Sequence, residues 1–203
     1  MIDLKLTNRK FRSLVEEKFT TAKDNDTGDS RVWMDCRAKW SDGVTSKTIS
    51  AFHVTTKYEA LYNEMPIQSL RYINYRLAID EMDWIYKKKS NNVNDLNSKI
   101  WNQWASEDGT IGKGYGYQVA KKVYDSKLSD DKIDQIDNIL ENLILDPTNR
   151  RLLINLFNID DLSEMNLAPC AYETFFMVEY LEDSYGIVRP KLNVVLNQRS
   201  GDF

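Results

Sequence analysis

A chain of 203 residues, 42% hydrophobic and 29% charged, is long enough for one domain with a proper core and has ordinary globular usage. Its net charge of −4 lacks the basic excess of a duplex binder, so DNA is not an expected partner and any anion site must be a local cluster of arginines. No run approaches the about 20 apolar residues that span a bilayer, and the N-terminal MIDLKLTNRKFRSLVEEKF has no signal-peptide core, so a cytoplasmic protein without a membrane partner is expected.

In chain order, Leu6, Phe11, Leu14, Val15 and Phe19 approximate a helical stripe over 4–23, and 23–30 (KDNDTGDS) reads as loop. Residues 31–40 predict a short strand, Ser41-Asp42-Gly43 a turn, and 45–56 a second strand. Pro66 opens a long helix to about Lys89, with Leu70, Ile73, Leu77, Met82, Trp84 and Ile85 on its buried side. A short helical piece, 96–104, sets Trp101 and Trp104 on one face. The glycine-rich 109–116 is loop and lacks the Gly-Lys-Ser/Thr of a phosphate loop. Residues 131–145 form an amphipathic helix, with Ile133, Ile136, Ile139, Leu140, Leu143 and Ile144 on one side, ended by Asp146-Pro147. Residues 151–158, 171–180 and 191–198 read as strands. Helices and strands without strict alternation imply an α+β layer fold.

Several residues carry possible chemistry, each beside a plainer reading. Cys170, after Pro169 at a strand entrance, is a nucleophile if cations favour its thiolate, or else a small buried hydrophobe. Arg150 and Arg151 suit bidentate phosphate binding, with opposite faces if they begin a strand, or else form a solvated helix-end pair. Gln198, Arg199, Ser200 and Asp202 pack an amide, a cation, a hydroxyl and a carboxylate into five residues at a strand end, a site position or a polar turn. Trp101 and Trp104 stack on a flat heterocycle or fill the core. Glu81 in an apolar helix suits proton transfer if buried, and is otherwise a surface carboxylate. With His53 the single histidine and no Cys-x-x-Cys, a Ser-His-Asp triad or a zinc site is poorly supported.

Five motifs in order resemble the thymidylate synthase family from about Asp35 to Phe203. They are Asp-x-Arg (Asp35, Arg37); Ile-Trp-x-x-Trp (Ile100 to Trp104); Asp-Gly-x-x-Gly-x-x-Tyr-Gly-x-Gln (Asp108 to Gln118); Asp-Pro-x-x-Arg-Arg, then Met-x-Leu-x-Pro-Cys (Asp146 to Cys170); and Gln-Arg-Ser-x-Asp (Gln198 to Asp202). The resemblance implies a three-layer α+β fold with a mixed β-sheet and one long buried helix, in a single domain over 1–203 with a helical extension and loop at 1–30. It implies reductive methylation of dUMP to dTMP, with 5,10-methylenetetrahydrofolate supplying carbon and hydride and no metal. Cys170 would add to pyrimidine C6, with Glu81 and Tyr115 assisting proton transfers. Arg37, Gln198, Arg199, Ser200 and Asp202 would hold dUMP. Arg150 and Arg151 would reach the partner's phosphate site in a homodimer. Arg71, Trp101, Trp104 and Asp202 would line the folate side.

The sequence departs from the family pattern in places. Gln68-Ser69-Leu70-Arg71-Tyr72 stands where members usually carry Leu-Thr-Thr-Lys-Lys, Asn102 replaces an aspartate, and Ala171 follows the cysteine where histidine is frequent. Two rivals stay open: a dUMP or dCMP hydroxymethylase of the same fold, in which water resolves the intermediate, and an inactive nucleotide- or RNA-binding fragment. The family continues beyond Gln-Arg-Ser-x-Asp, so the chain reads as its N-terminal two-thirds, expected to lack full activity alone.

Overall fold

The structure, a computed structural model, describes residues 34–39, 43–48, 55–59, 67 and 72–200. The helix and loop expected over 4–30, His53, Pro66, Arg71 and Asp202 lie outside the described residues, as does the side chain of Arg37. The chain divides into two compact units, Met1–Tyr75 with Phe203, and Arg76–Asp202.

In the first unit, β1 (Met34–Lys39) and β2 (Thr45–Thr48) pair antiparallel, with Met34 opposite Thr48 and Lys39 opposite Thr45. Gly43, in the predicted turn between them, has φ +83°, which glycine takes without steric cost. The second strand is shorter than predicted, since Thr55 and Thr56 belong to no strand.

The second unit begins at the second residue of α1 (Tyr75–Met82), which runs into a π-helical turn at Asp83–Lys87. The predicted start at Pro66 is too early: residues 72–74 are not helical, and Asn74, a residue type favoured at N-caps, precedes the first turn. In the π turn the Lys88 N–H donates to Asp83 O at 2.8 Å. Trp84 and Ile85 are 0% and 2% exposed, whereas Met82, expected on the buried side, is 47% exposed. The helix is therefore buried at its C-terminal end, not along its length.

The segment after it is not the helical piece expected over 96–104 but two single 3₁₀ turns, Val93–Asp95 and Asn102–Trp104. Its Asn-, Ser- and Asp-rich sequence offers side-chain partners that compete with a helix. Asn92 accepts from the Asn94 N–H at 2.9 Å, and the Trp84 indole donates to Asn92 O at 2.9 Å. Gly116, read as loop, instead opens α2 (Gly116–Ala120). A small antiparallel pair follows, β3 (Tyr124–Asp125) with β4 (Lys132–Ile133), so Ile133 lies in a strand.

The second long helix, α3 (Gln135–Leu145), starts later than predicted because Asp134 caps it, accepting from the Ile136 and Asp137 N–H groups at 3.0 and 3.1 Å. It ends before Asp146-Pro147 as expected. Ile139 is buried, but Leu140 and Ile144 are exposed, so the apolar stripe is narrower than the sequence suggests. Gln135 shares the buried face: its amide donates to Gln118 O at 2.9 Å and Asn155 O at 3.0 Å, and accepts from the Asn155 N–H at 2.8 Å.

That clamp docks α3 on β5 (Leu153–Asn155), the first strand of the sheet β5-β6-β7, in which β6 spans Ala171–Glu182 and β7 spans Val188–Gln198. β6 and β7 pair antiparallel through a turn where Gly186 has φ +75° and Asp183 accepts from the Tyr185 and Ile187 N–H groups. Thr174, Phe176, Val178 and Tyr180 stand opposite Leu196, Val194, Leu192 and Pro190, so one sheet face is almost wholly apolar. Phe176 packs on a core of Trp84, Ile111, Val119, Ile154 and Leu156, while Leu192, Val194 and Leu196 remain about half exposed. The arrangement is α+β, as expected. Among the described residues every strand pairing is antiparallel, so the parallel part of the expected mixed sheet is not seen there.

Candidate active site

A cleft of about 320 Å³ in the second unit is lined by Glu81, Ile100, Trp101, Trp104, Tyr115, Leu167 and Cys170. Its floor is aromatic. The Trp101 ring lies 5.2 Å from Trp104 and 5.2 Å from Tyr115, tilted to both. Tilted contacts at this spacing are the favoured aromatic geometry, so the three rings brace one another.

Glu81 comes from the last turn of α1, just before the π turn buries Trp84 and Ile85. The Trp101 indole donates to its carboxylate at 2.7 Å. Burial pushes the Glu81 carboxyl above the ordinary range, and the Trp101 hydrogen bond opposes this only in part. A carboxyl so placed holds its proton closer to neutrality.

Tyr115 is 7% exposed and precedes α2 with φ 40° and ψ −103°. A bulky residue rarely takes positive φ, and such strain survives only where the surroundings over-determine it. Its hydroxyl accepts from the Cys170 N–H at 3.0 Å. Burial raises its hydroxyl above the usual range; the Cys170 N–H bond opposes the rise, and negative charge at Cys170 and Glu81 adds to it.

Cys170 is a half-buried free thiol between the fully buried Pro169 and the first residue of β6. Beside it, Arg199 follows β7, and its N–H donates to Cys170 O at 2.9 Å. The guanidinium is fixed to the main chain, donating from Nε to Pro169 O and from Nη2 to Ala168 O, each at 2.9 Å. Nη2 also stands 3.9 Å from Cys170 Sγ. A cation is thus placed to pair with negative charge on the sulfur or on an anion that approaches it.

Of the residues singled out by sequence, Glu81, Trp101, Trp104, Tyr115, Cys170 and Arg199 come together. Gln198 and Ser200 flank Arg199 and are exposed. Arg150 and Arg151 are exposed after the turn that closes α3; β5 begins only at Leu153, so the expectation that they start a strand does not hold. Asn149 caps that turn, accepting from the Arg151 N–H at 2.9 Å. Ile100 and Leu167 line the cleft without having been singled out, although both sit inside quoted motifs beside the functional residues. Among the described residues no cluster of three or more His, Cys, Asp or Glu could hold a metal ion, and no helix is long and apolar enough to cross a membrane.

The thymidylate synthase family model matches residues 30–203. Thymidylate synthase from Bacillus subtilis subsp. natto is 39% identical over 173 residues, covering 83% of this chain and 57% of that protein. The Bacillus mojavensis thymidylate synthase is 35% identical over 200 residues, 97% of this chain and 65% of that one. The solved thermostable thymidylate synthase A from Bacillus subtilis superposes with a TM-score of 0.72 at 31% identity, over 100% of this chain and 66% of its own length. The chain thus spans less than two-thirds of the length of these relatives.

Proposed function

The chain belongs to the thymidylate synthase family, and from that premise we propose that it carries the nucleophile half of a site that methylates dUMP at the expense of a reduced folate. One observation supports this reading above the rest. Groups as far apart in sequence as Glu81 and Arg199 converge around one thiol at the wall of one cleft.

In this reading Cys170 forms a bond from sulfur to C6 of the pyrimidine. The C5–C6 π pair moves onto C5 and the neighbouring C4 carbonyl, leaving C5 able to attack a one-carbon electrophile. Arg199 pairs with the thiolate and with the nucleotide phosphate. Glu81, protonated nearer to neutrality than an ordinary carboxyl, hands protons to the ring carbonyl. Tyr115 holds the Cys170 backbone through its hydroxyl oxygen and assists removal of the C5 proton; delivery of hydride to the transferred carbon then restores the C5–C6 double bond as the sulfur leaves C6. Trp101, Trp104, Ile100 and Leu167 give an aromatic and apolar wall suited to a fused heterocycle such as the pterin of 5,10-methylenetetrahydrofolate. When bound, that folate supplies the carbon and the hydride. Gln198, Ser200, Asp202 and Arg37 complete the nucleotide pocket, Arg71 meets the folate, and Arg150 and Arg151 reach the phosphate of a second copy.

The test is to mix the chain with dUMP and the folate and to analyse both protein and product by mass. A covalent nucleotide adduct mapped to Cys170, absent in Cys170→Ser, supports the nucleophile assignment even without full turnover. A product gaining CH₂ supports methylation, and one gaining CH₂O moves the reading to hydroxymethylation. Neither adduct nor product leaves the reading without support and favours the noncatalytic fragment.

A further inference from the structure

Among the described site residues Tyr115 is a bulky one held at positive φ, and its neighbour shows what holds it there. A Cβ on Gly116 would stand 1.9 Å from Ser90 O, 2.5 Å from Ser90 C and 2.7 Å from Ser90 N. No side chain fits at that distance from main chain, so residue 116 and the backbone of residue 90 are pressed together as closely as a glycine allows. Ser90 cannot yield easily. Its N–H donates to Trp84 O at 3.1 Å, and Trp84 is wholly buried. Its hydroxyl donates to Asp95 at 2.5 Å and accepts from the Asn92 N–H at 3.0 Å.

We infer that Ser90 and Gly116 are a positioning pair: the fixed Ser90 backbone presses on Gly116, keeps Tyr115 at positive φ, and so aims its hydroxyl onto the Cys170 N–H. The pair touches neither sulfur nor cleft and acts only through Tyr115. The importance given to Cys170 rests on the function proposed above, but the geometry is testable without any nucleotide.

Two measurements test it. The first compares melting temperatures of Tyr115→Gly and Tyr115→Ala. At ordinary negative φ alanine is the more stable of the two, whereas at positive φ the order inverts. The glycine variant is expected to melt higher, and an equal or lower value overturns the strain. The second is a double-mutant cycle on the rate at which iodoacetamide alkylates Cys170, followed by peptide mass spectrometry so that Cys36 is read separately. Ser90→Ala removes the hydroxyl anchors but keeps the carbonyl, so the fold is retained and the press is loosened. It is expected to change the Cys170 rate by about twofold or more, the low end of coupling within one bonded network, and to have no effect in a Tyr115→Phe background. A Ser90 effect that persists in that background, or no effect in either, overturns the inference. Because no nucleotide is present, failure here is distinct from failure to form the dUMP adduct.

Discussion

At the scale of single residues, two carboxylates in one unit are pushed in opposite directions, and pH separates them. Glu81 is raised by burial, so the folded state holds its proton more tightly than the unfolded chain does. Its favourable contribution is complete below an unfolded value of about 4.3 and is lost as pH rises through the folded value. The melting temperature of the native chain minus that of Glu81→Gln is therefore expected to fall as pH climbs from the acid side toward neutrality; a flat difference contradicts the buried carboxyl. Asp161, 6% exposed, is held well below the usual carboxylate range, first by the Lys121 ammonium and then by the Gln118 amide at 2.9 Å, with Lys113 at 3.3 Å. Its contribution is present above about pH 3.9 and is lost as pH falls through the lowered folded value. Asp161→Asn should thus be less stable than the native chain at neutrality, with the gap narrowing below that pH in an acid titration followed by near-ultraviolet circular dichroism.

Secondary-structure elements were legible from sequence where one local rule acted alone. Pro147 marked the end of α3, and alternating β-branched and aromatic residues marked β6 and β7. Misreadings came where side chains bond their own backbone. Asp134 moved the start of α3, and the asparagines after Ser90 replaced a helix by two short turns. The cleft members were legible as residue types in motifs, but their meeting was not, because Glu81, Tyr115 and Arg199 reach Cys170 through long-range packing and strand register. Nor could sequence disclose the positive φ of Tyr115, a property glycine usually carries. The Gln135 clamp is likewise tertiary: its amide bonds belong to Gln118 and Asn155, in two other elements. Gln135→Ala leaves those main-chain groups without partners and is expected to cost about 2 kcal/mol in urea unfolding. Gln135→Glu should cost a similar amount, since a carboxylate cannot donate to either carbonyl. A loss within a few tenths of a kcal/mol of zero would mean that water replaces the clamp.

For the molecule as a whole, the apolar face of the β6–β7 hairpin dominates the outlook. Leu192, Val194 and Leu196 are 49%, 54% and 52% exposed, and they share a face with Val178 and Tyr180. Contiguous apolar area of this kind drives association. Sedimentation of the isolated chain should give a mass that rises with concentration, and Val194→Lys should suppress that rise while leaving the alkylation rate of Cys170 unchanged. If the lysine variant associates as strongly, another surface is responsible. The same hairpin carries a less visible burden through Arg199. Its guanidinium is already bonded to the carbonyls of Ala168 and Pro169, in a place set by the last rung of the β6–β7 ladder. Immobilising a long side chain at a binding event costs about 0.5–1.5 kcal/mol. Here that entropy is surrendered when the strands zip together, before any anion arrives. Calorimetry of phosphate-bearing ligands should register a small entropic penalty at this position, and fraying of the hairpin end should appear as weakened anion capture while the sulfur remains in place.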